Sequence, residues 1–148
     1  MPRYKSSLTI TNHLNFILLL SMSAQQKIKN SLFNSLIKLN AFWSYHSSDI
    51  TEKAINDEMF IEKALVHLDI EDLNKLFCLF PYKKIKEVWK NQLCIQEPYF
   101  HELNVLLAYL YFNIKDPDRY LKKINNRHIQ SLKQSSDEWF NATYGKNF

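Results

Sequence analysis

Apolar residues recur three and four positions apart through the middle of the chain, the period that lines one side of a helix. Ile28, Leu32, Phe33, Leu36 and Ile37 make one such face between Ser23 and Leu39, opposite Lys27, Asn30 and Asn34. Three shorter sets follow from Asp57 to Trp89: Phe60, Ile61, Ala64, Leu65 and Leu68, then Ile70, Leu73, Leu76 and Phe77, then Ile85, Val88 and Trp89. Asp69 stands between the first two sets, where its carboxylate can accept backbone N–H bonds, with Asp72 three residues on as in a capping box. Pro81 stands between the second and third, and a proline ends one helix and suits the first turn of the next. These signs predict three short helices with sharp corners, the unit around which the rest is organised.

On either side the pattern is less even. Residues Asn40 to Ile55 read as a connection, with Phe42, Trp43 and Tyr45 expected to plug the side of the core, although such a cluster can also be a binding hot spot. The polar run Lys90 to Glu97 is expected to break the helix after Trp89. Pro98 to Phe112, apolar over much of its circumference, predicts the most buried helix, packed on the Asp57 to Trp89 unit. Asp116 and Pro117 predict an N-cap with proline at the first helical position, opening a last helix from Asp118 to about Asn125. Residues 127–148 are polar with scattered aromatics and predict a partly ordered tail. Residues 1–21 carry Arg3, Lys5 and an apolar run, Phe16 to Leu20, too short to span a membrane. They read as an over-extended start before Met22 or as a loosely attached arm, ahead of an export signal. The domain is thus expected over residues 22–126.

Composition narrows the function more than the fold. With 148 residues, 46% of them apolar and 23% charged, the chain suits one folded core. Its single glycine, Gly145, leaves nothing from which to build a phosphate-cradling loop, a dinucleotide fingerprint or a nucleophile elbow, and argues against tight hairpins. Cys78 and Cys94 match neither a zinc motif nor a redox pair, and Cys78, among Leu76, Phe77 and Phe80, is expected to be buried. Free thiols fit a reducing cytoplasm.

Charge is unevenly placed. Asp57, Glu58, Glu62, Asp69, Glu71 and Asp72 dominate up to Phe80, and Lys83, Lys84, Lys86 and Lys90 then face only Glu87. Acidic beside basic surface is typical of a docking module, and solvated helix faces give the same pattern. His67, Asp69, Glu71 and Asp72 form the richest titratable patch, but capping already employs the two aspartates, so no acid/base pair or metal site is expected. His46, His101 and His128 read as isolated. A helix-turn-helix reading puts Lys83, Lys86 and Lys90 on phosphates and Asn91 on a base edge. Arg119, Lys122, Lys123, Arg127 and His128 would form a second basic strip. The acidic helices before them and the absence of arginine between Arg3 and Arg119 weigh against it.

At FWSY, HLDIEDLNKLF, FPYKKIKEVW and ELNVLLAYLYFNIKDPDRYL, about Ala41 to Leu121, the chain resembles a family of small uncharacterised bacterial helical domains. Such domains open on a Phe-Trp pair and turn a Gly-Asp-x-x-Asp corner. The resemblance implies a protein encoded beside a nucleotidyltransferase-type toxin, as its antitoxin or an accessory. Leu68 stands where the family's corner glycine is expected, so either the corner closes without a left-handed residue or the helices bend differently.

The expectation is therefore an all-α protein, a single compact bundle of about five or six short helices, cytoplasmic and not an enzyme. It would bind a protein partner through Lys83, Lys86 and Lys90 and secondarily through Glu71 and Asp72. The alternative is a DNA-binding regulator using the same lysines. No cofactor, metal, membrane or small-molecule substrate is expected.

Overall fold

The computed structural model describes the backbone of residues 6–145 and the side chains of residues 21–145. Of the arm expected over residues 1–21, positions 1–5 and the side chains before Ser21, with the run Phe16 to Leu20, lie outside the described residues, as do 146–148 of the expected tail. Among the described residues there are six α-helices and no strand: α1 (Ser6–Lys38), α2 (Asp57–His67), α3 (Ile70–Leu79), α4 (Tyr82–Val88), α5 (His101–Leu110) and α6 (Pro117–Tyr144). The protein is all-α. Its helices group into two compact units, Met1–Pro81 and Tyr82–Phe148, so the stretch from Asp57 to Trp89 is shared between them.

In the first unit α1 packs on α2 and α3. Leu32 and Leu36 of α1 are fully buried, as are Ile61, Ala64, Leu65 and Leu76, with Phe60 and Leu73 nearly so. The helix ends in a Schellman turn: Asn40 takes φ 54°, Ala41 donates its N–H to the Leu36 carbonyl at 3.0 Å, and Asn40 donates to Ile37 at 3.0 Å. Tight turns follow, and they send neighbouring side chains to different sides. Phe42 alone enters the core, its ring 6.1 Å from that of Phe33, while Trp43 and Tyr45 stay exposed, so the plug of three aromatics is one residue.

The corners form as read, with one substitution of mechanism. Asn56 caps α2 by accepting from the Met59 N–H at 2.8 Å, and Asp69 caps α3 by accepting from Asp72 at 2.9 Å. Leu68 lies in extended conformation, φ −85° and ψ 152°, with its side chain buried. The corner therefore closes without a left-handed residue, and a leucine there contributes a core contact that glycine lacks. On α3 the inner face is set by Leu73 and Leu76; at about 100° per residue, Cys78 falls on the far side and is exposed, contrary to expectation. Ile70, in the first turn, is exposed too.

The second unit is built on Trp89. After the seven residues of α4 the chain widens into a π-helical turn, Trp89–Leu93, closed by the Cys94 N–H on the Trp89 carbonyl at 3.0 Å, instead of breaking at Lys90. The buried indole stacks on Phe112, centroids 4.4 Å apart, and lies parallel to Tyr120 at 5.9 Å. Turns and a cis Glu97–Pro98 bond lead to α5, which starts at His101 rather than Pro98. It is not the most buried helix: Asn104, Leu107 and Ala108 are buried, whereas Leu106, Tyr109 and Leu110 are exposed, because only one side of it meets α6. Asn113, at φ 49°, ends it, with Ile114 donating to the Ala108 carbonyl at 3.1 Å.

Asp116 accepts from the Arg119 N–H at 3.1 Å and Pro117 takes the first position, as the sequence indicates for α6. The helix then runs to Tyr144, well past Asn125. No proline or glycine interrupts it before Gly145. From Ile129 onward every described residue is exposed, so this part is helix that packs on none of the other described residues.

Candidate functional site

The lysines singled out from the sequence do not form one open face. Lys83 is exposed, but Lys86 is half-buried with its Nζ 5.7 Å above the Tyr82 ring and 5.9 Å above Phe112, an intramolecular cation–π arrangement. Lys90 is half-buried in the π turn. Glu71 and Asp72 belong to the other unit, on α3. There Lys75 meets Asp72 at 2.7 Å and Glu71 at 3.7 Å, and the hydrogen bond to Asp72 holds the Lys75 pKa above its ordinary value. The first unit has as many Lys and Arg as Asp and Glu, so the whole formal charge of +4 falls in the second.

His101, read as isolated, belongs to a polar chain that runs from the core to the surface. Asn104 is fully buried; its Oδ1 accepts from Trp89 Nε1 at 2.9 Å, and its Nδ2 donates to the Leu93 carbonyl at 3.2 Å and to Glu97 Oε1 at 3.1 Å. Glu97 Oε2 lies 2.8 Å from His101 Nδ1, and His101 Nε2 lies 3.0 Å from Asp118 Oδ1. Both ring nitrogens face a carboxylate, so both donate only when the ring is protonated. The Glu97 hydrogen bond first, then the charges of Glu97 and Asp118, raise the His101 pKa. The chain ties the π turn and α5 to the first turn of α6. A shallow groove of about 290 Å³ beside it is lined by Glu97, His101, Asp118, Leu121, Lys122 and Asn125. Its lining has no Ser, Thr or Cys, and no group of three His, Cys, Asp or Glu that could hold a metal ion occurs among the described residues.

Two apolar features lie apart from Lys83, Lys86, Lys90, Glu71 and Asp72, the binding residues expected from the sequence. In the first unit, Phe33, Ile37, Phe42 and Ile50 line a groove of about 480 Å³ at the end of α1. In the second, α6 carries Ile129, Leu132, Trp139 and Phe140 at helical spacing, each more than half exposed, with Tyr144 beyond them. Trp139 and Tyr144 meet edge to face at 6.0 Å, and Phe140 lies 5.2 Å from Tyr144. Leu121 and Leu132 are eleven residues apart, three full turns, so the exposed stripe continues the line that Leu121 buries. That spacing was present in the sequence, interrupted by Ser135 and Ser136. The spacing of Glu97 and His101, one helical turn, was the corresponding hint of the polar chain.

No helix of the described residues is long and apolar enough to cross a membrane. Compared with models of known families, with curated proteins and with solved structures, the chain matches none.

Proposed function

We propose that this chain is a non-enzymatic protein-docking module whose docking surface is the apolar side of α6 from Ile129 to Tyr144. The observation that carries the reading is that Leu132, Trp139 and Phe140 are 57%, 62% and 54% exposed on an ordered helix. An aromatic-rich stripe of this kind is costly to leave in water, and Trp and Tyr are the residues that most often anchor protein interfaces. Asp137 and Glu138 flank the aromatic end, which disfavours an anionic lipid surface as its cover and favours a protein. Lys83 and Lys90 supply charge that steers encounter rather than apolar contact. The partner class implied by the resemblance is a nucleotidyltransferase-type toxin met in the cytoplasm. Both cysteines are unpaired, which fits that compartment.

A second reading, nucleic-acid binding, rests on the net positive charge of the second unit and the exposed Lys83, Arg119, Lys122, Lys123 and Arg127. Capture of tagged protein from its native cell, with and without nuclease, separates the two. On the docking reading a stoichiometric protein survives nuclease, is lost with Trp139→Glu, and is retained with Lys83→Glu. Co-purifying nucleic acid that disappears with nuclease and with added salt, and no protein, would transfer the function to the basic residues.

A further inference from the structure

Resting on the docking reading, we infer that the occupant of the α6 face is a second copy of this chain, in place of the toxin-type partner that the resemblance implies, paired antiparallel about a two-fold axis between Ser135 and Ser136. Within the exposed stripe, Leu132 and Trp139 are placed symmetrically about those two serines. Leu132 lies three and a half positions before the midpoint and Trp139 three and a half after it, so in an antiparallel pair each Leu132 meets the partner's Trp139 at the same height. Ile129 and Phe140 sit on one shoulder of the stripe, and like shoulders face each other across an antiparallel pair, so Phe140 packs beside the partner's Ile129. The smaller side chains of one half thus oppose the larger ones of the other. At the midpoint the two small hydroxyl residues allow close approach of the helices.

Charge follows the same symmetry. Lys133 and Asp137 lie on the same flank, on opposite sides of the midpoint. The pairing that matches Leu132 to Trp139 places each Lys133 within one residue's rise of the partner's Asp137, whereas a parallel pair would turn this flank toward the partner's opposite flank and bring neither charge to the other. Gln134 and Glu138 are joined within one helix, with Gln134 Nε2 donating to Glu138 Oε1 at 2.9 Å, and do not compete for that contact. Five side chains, Ile129, Leu132, Trp139, Phe140 and Tyr144, cover roughly 100 Å² each at their observed exposure, so the pair removes on the order of 1,000 Å² in total, at the lower bound of a specific interface. A reversible dimer is the expected product.

Sedimentation velocity on the full chain over a concentration series tests this. The mass doubles as concentration rises through about 10–100 µM. Leu132→Glu, at an exposed position, leaves the helical circular dichroism unchanged and holds the protein at monomer mass. Lys133→Glu weakens the dimer and Lys133→Glu with Asp137→Lys restores it. In a Cys78→Ser background, Ser136→Cys oxidises to a covalent dimer and Tyr144→Cys does not. A wild-type monomer throughout the series, or crosslinking through position 144 in place of 136, overturns the self-pairing. If the wild type is monomeric but Leu132→Glu still loses the protein captured from cells, the docking surface stands and only its occupant was misassigned; if the variant changes neither, both inferences fall.

Discussion

Asn104 shows how one side chain sets a local fold. Its carboxamide supplies one acceptor and two donors to Trp89, Leu93 and Glu97, so the wide turn after α4 has its carbonyl satisfied and the indole its acceptor. Replacing it by leucine of similar size leaves the Trp89 N–H unpaired and the Leu93 carbonyl with only the Gln96 N–H, at 3.0 Å, so Asn104→Leu is expected to cost about 2 kcal/mol, read as a lower urea midpoint. His101 adds a pH dependence whose sign is fixed by its raised pKa. Its stabilisation is fully present below the unfolded value of about 6.5 and is lost as pH rises through the folded pKa. His67, lowered first by burial and then by Lys63, works in the opposite sense. The test is therefore the difference between wild type and His101→Gln in urea midpoint: a wild-type advantage that shrinks as pH rises through the folded pKa supports the clamp, and a constant difference contradicts it. The thiols separate in the same way by environment. Burial pushes the Cys94 thiol up to about 12, whereas Cys78 is exposed, so a thiol reagent is expected to label one cysteine in the native protein and the second only on unfolding.

Among the elements, α3 and the start of α6 were legible because each has a capping side chain at a fixed distance before the helix, Asp69 and Asp116, which bond the N–H three residues on; α2 was read from its apolar period alone, and Asn56 caps it by the same bond. The corner at Leu68 shows what such signals leave open. Sequence alone allowed either a corner closed without a left-handed residue or helices that bend differently, and the extended φ and buried side chain show the former. Leu68→Gly is accordingly expected to lower stability by about 2–4 kcal/mol, through lost packing and added chain entropy; a raised melting temperature would point back to strain. Where no cap or breaker intervenes, length was not legible. Ser135 and Ser136 interrupt the apolar run and made the end of α6 look like a tail, although nothing after Asn125 stops a helix until Gly145. The π turn was hidden for a different reason. It depends on Asn104, eleven residues beyond Leu93, and no local pattern reports such a partner.

For the molecule as a whole, helical class followed from apolar period and the single glycine, while the location of the candidate site did not. Charge drew attention to Lys83, Lys86 and Lys90, yet Lys86 is spent on the rings of Tyr82 and Phe112. The aromatic stripe could be weighed only once its exposure was known, because a stripe at helical spacing usually packs inside its own chain. That exposure carries the proposal that the α6 face, bare among the described residues, is covered by another protein chain. Amide hydrogen exchange tests it most directly, comparing dilute chain with the same chain in its concentrated or captured assembly. The account predicts that peptides from Ile129 to Tyr144 exchange readily in the dilute chain and become protected in the assembly, while those spanning Leu103 to Phe112 hardly change. Strong protection of residues 129–144 already in the dilute chain, or no gain in the assembly, would contradict it.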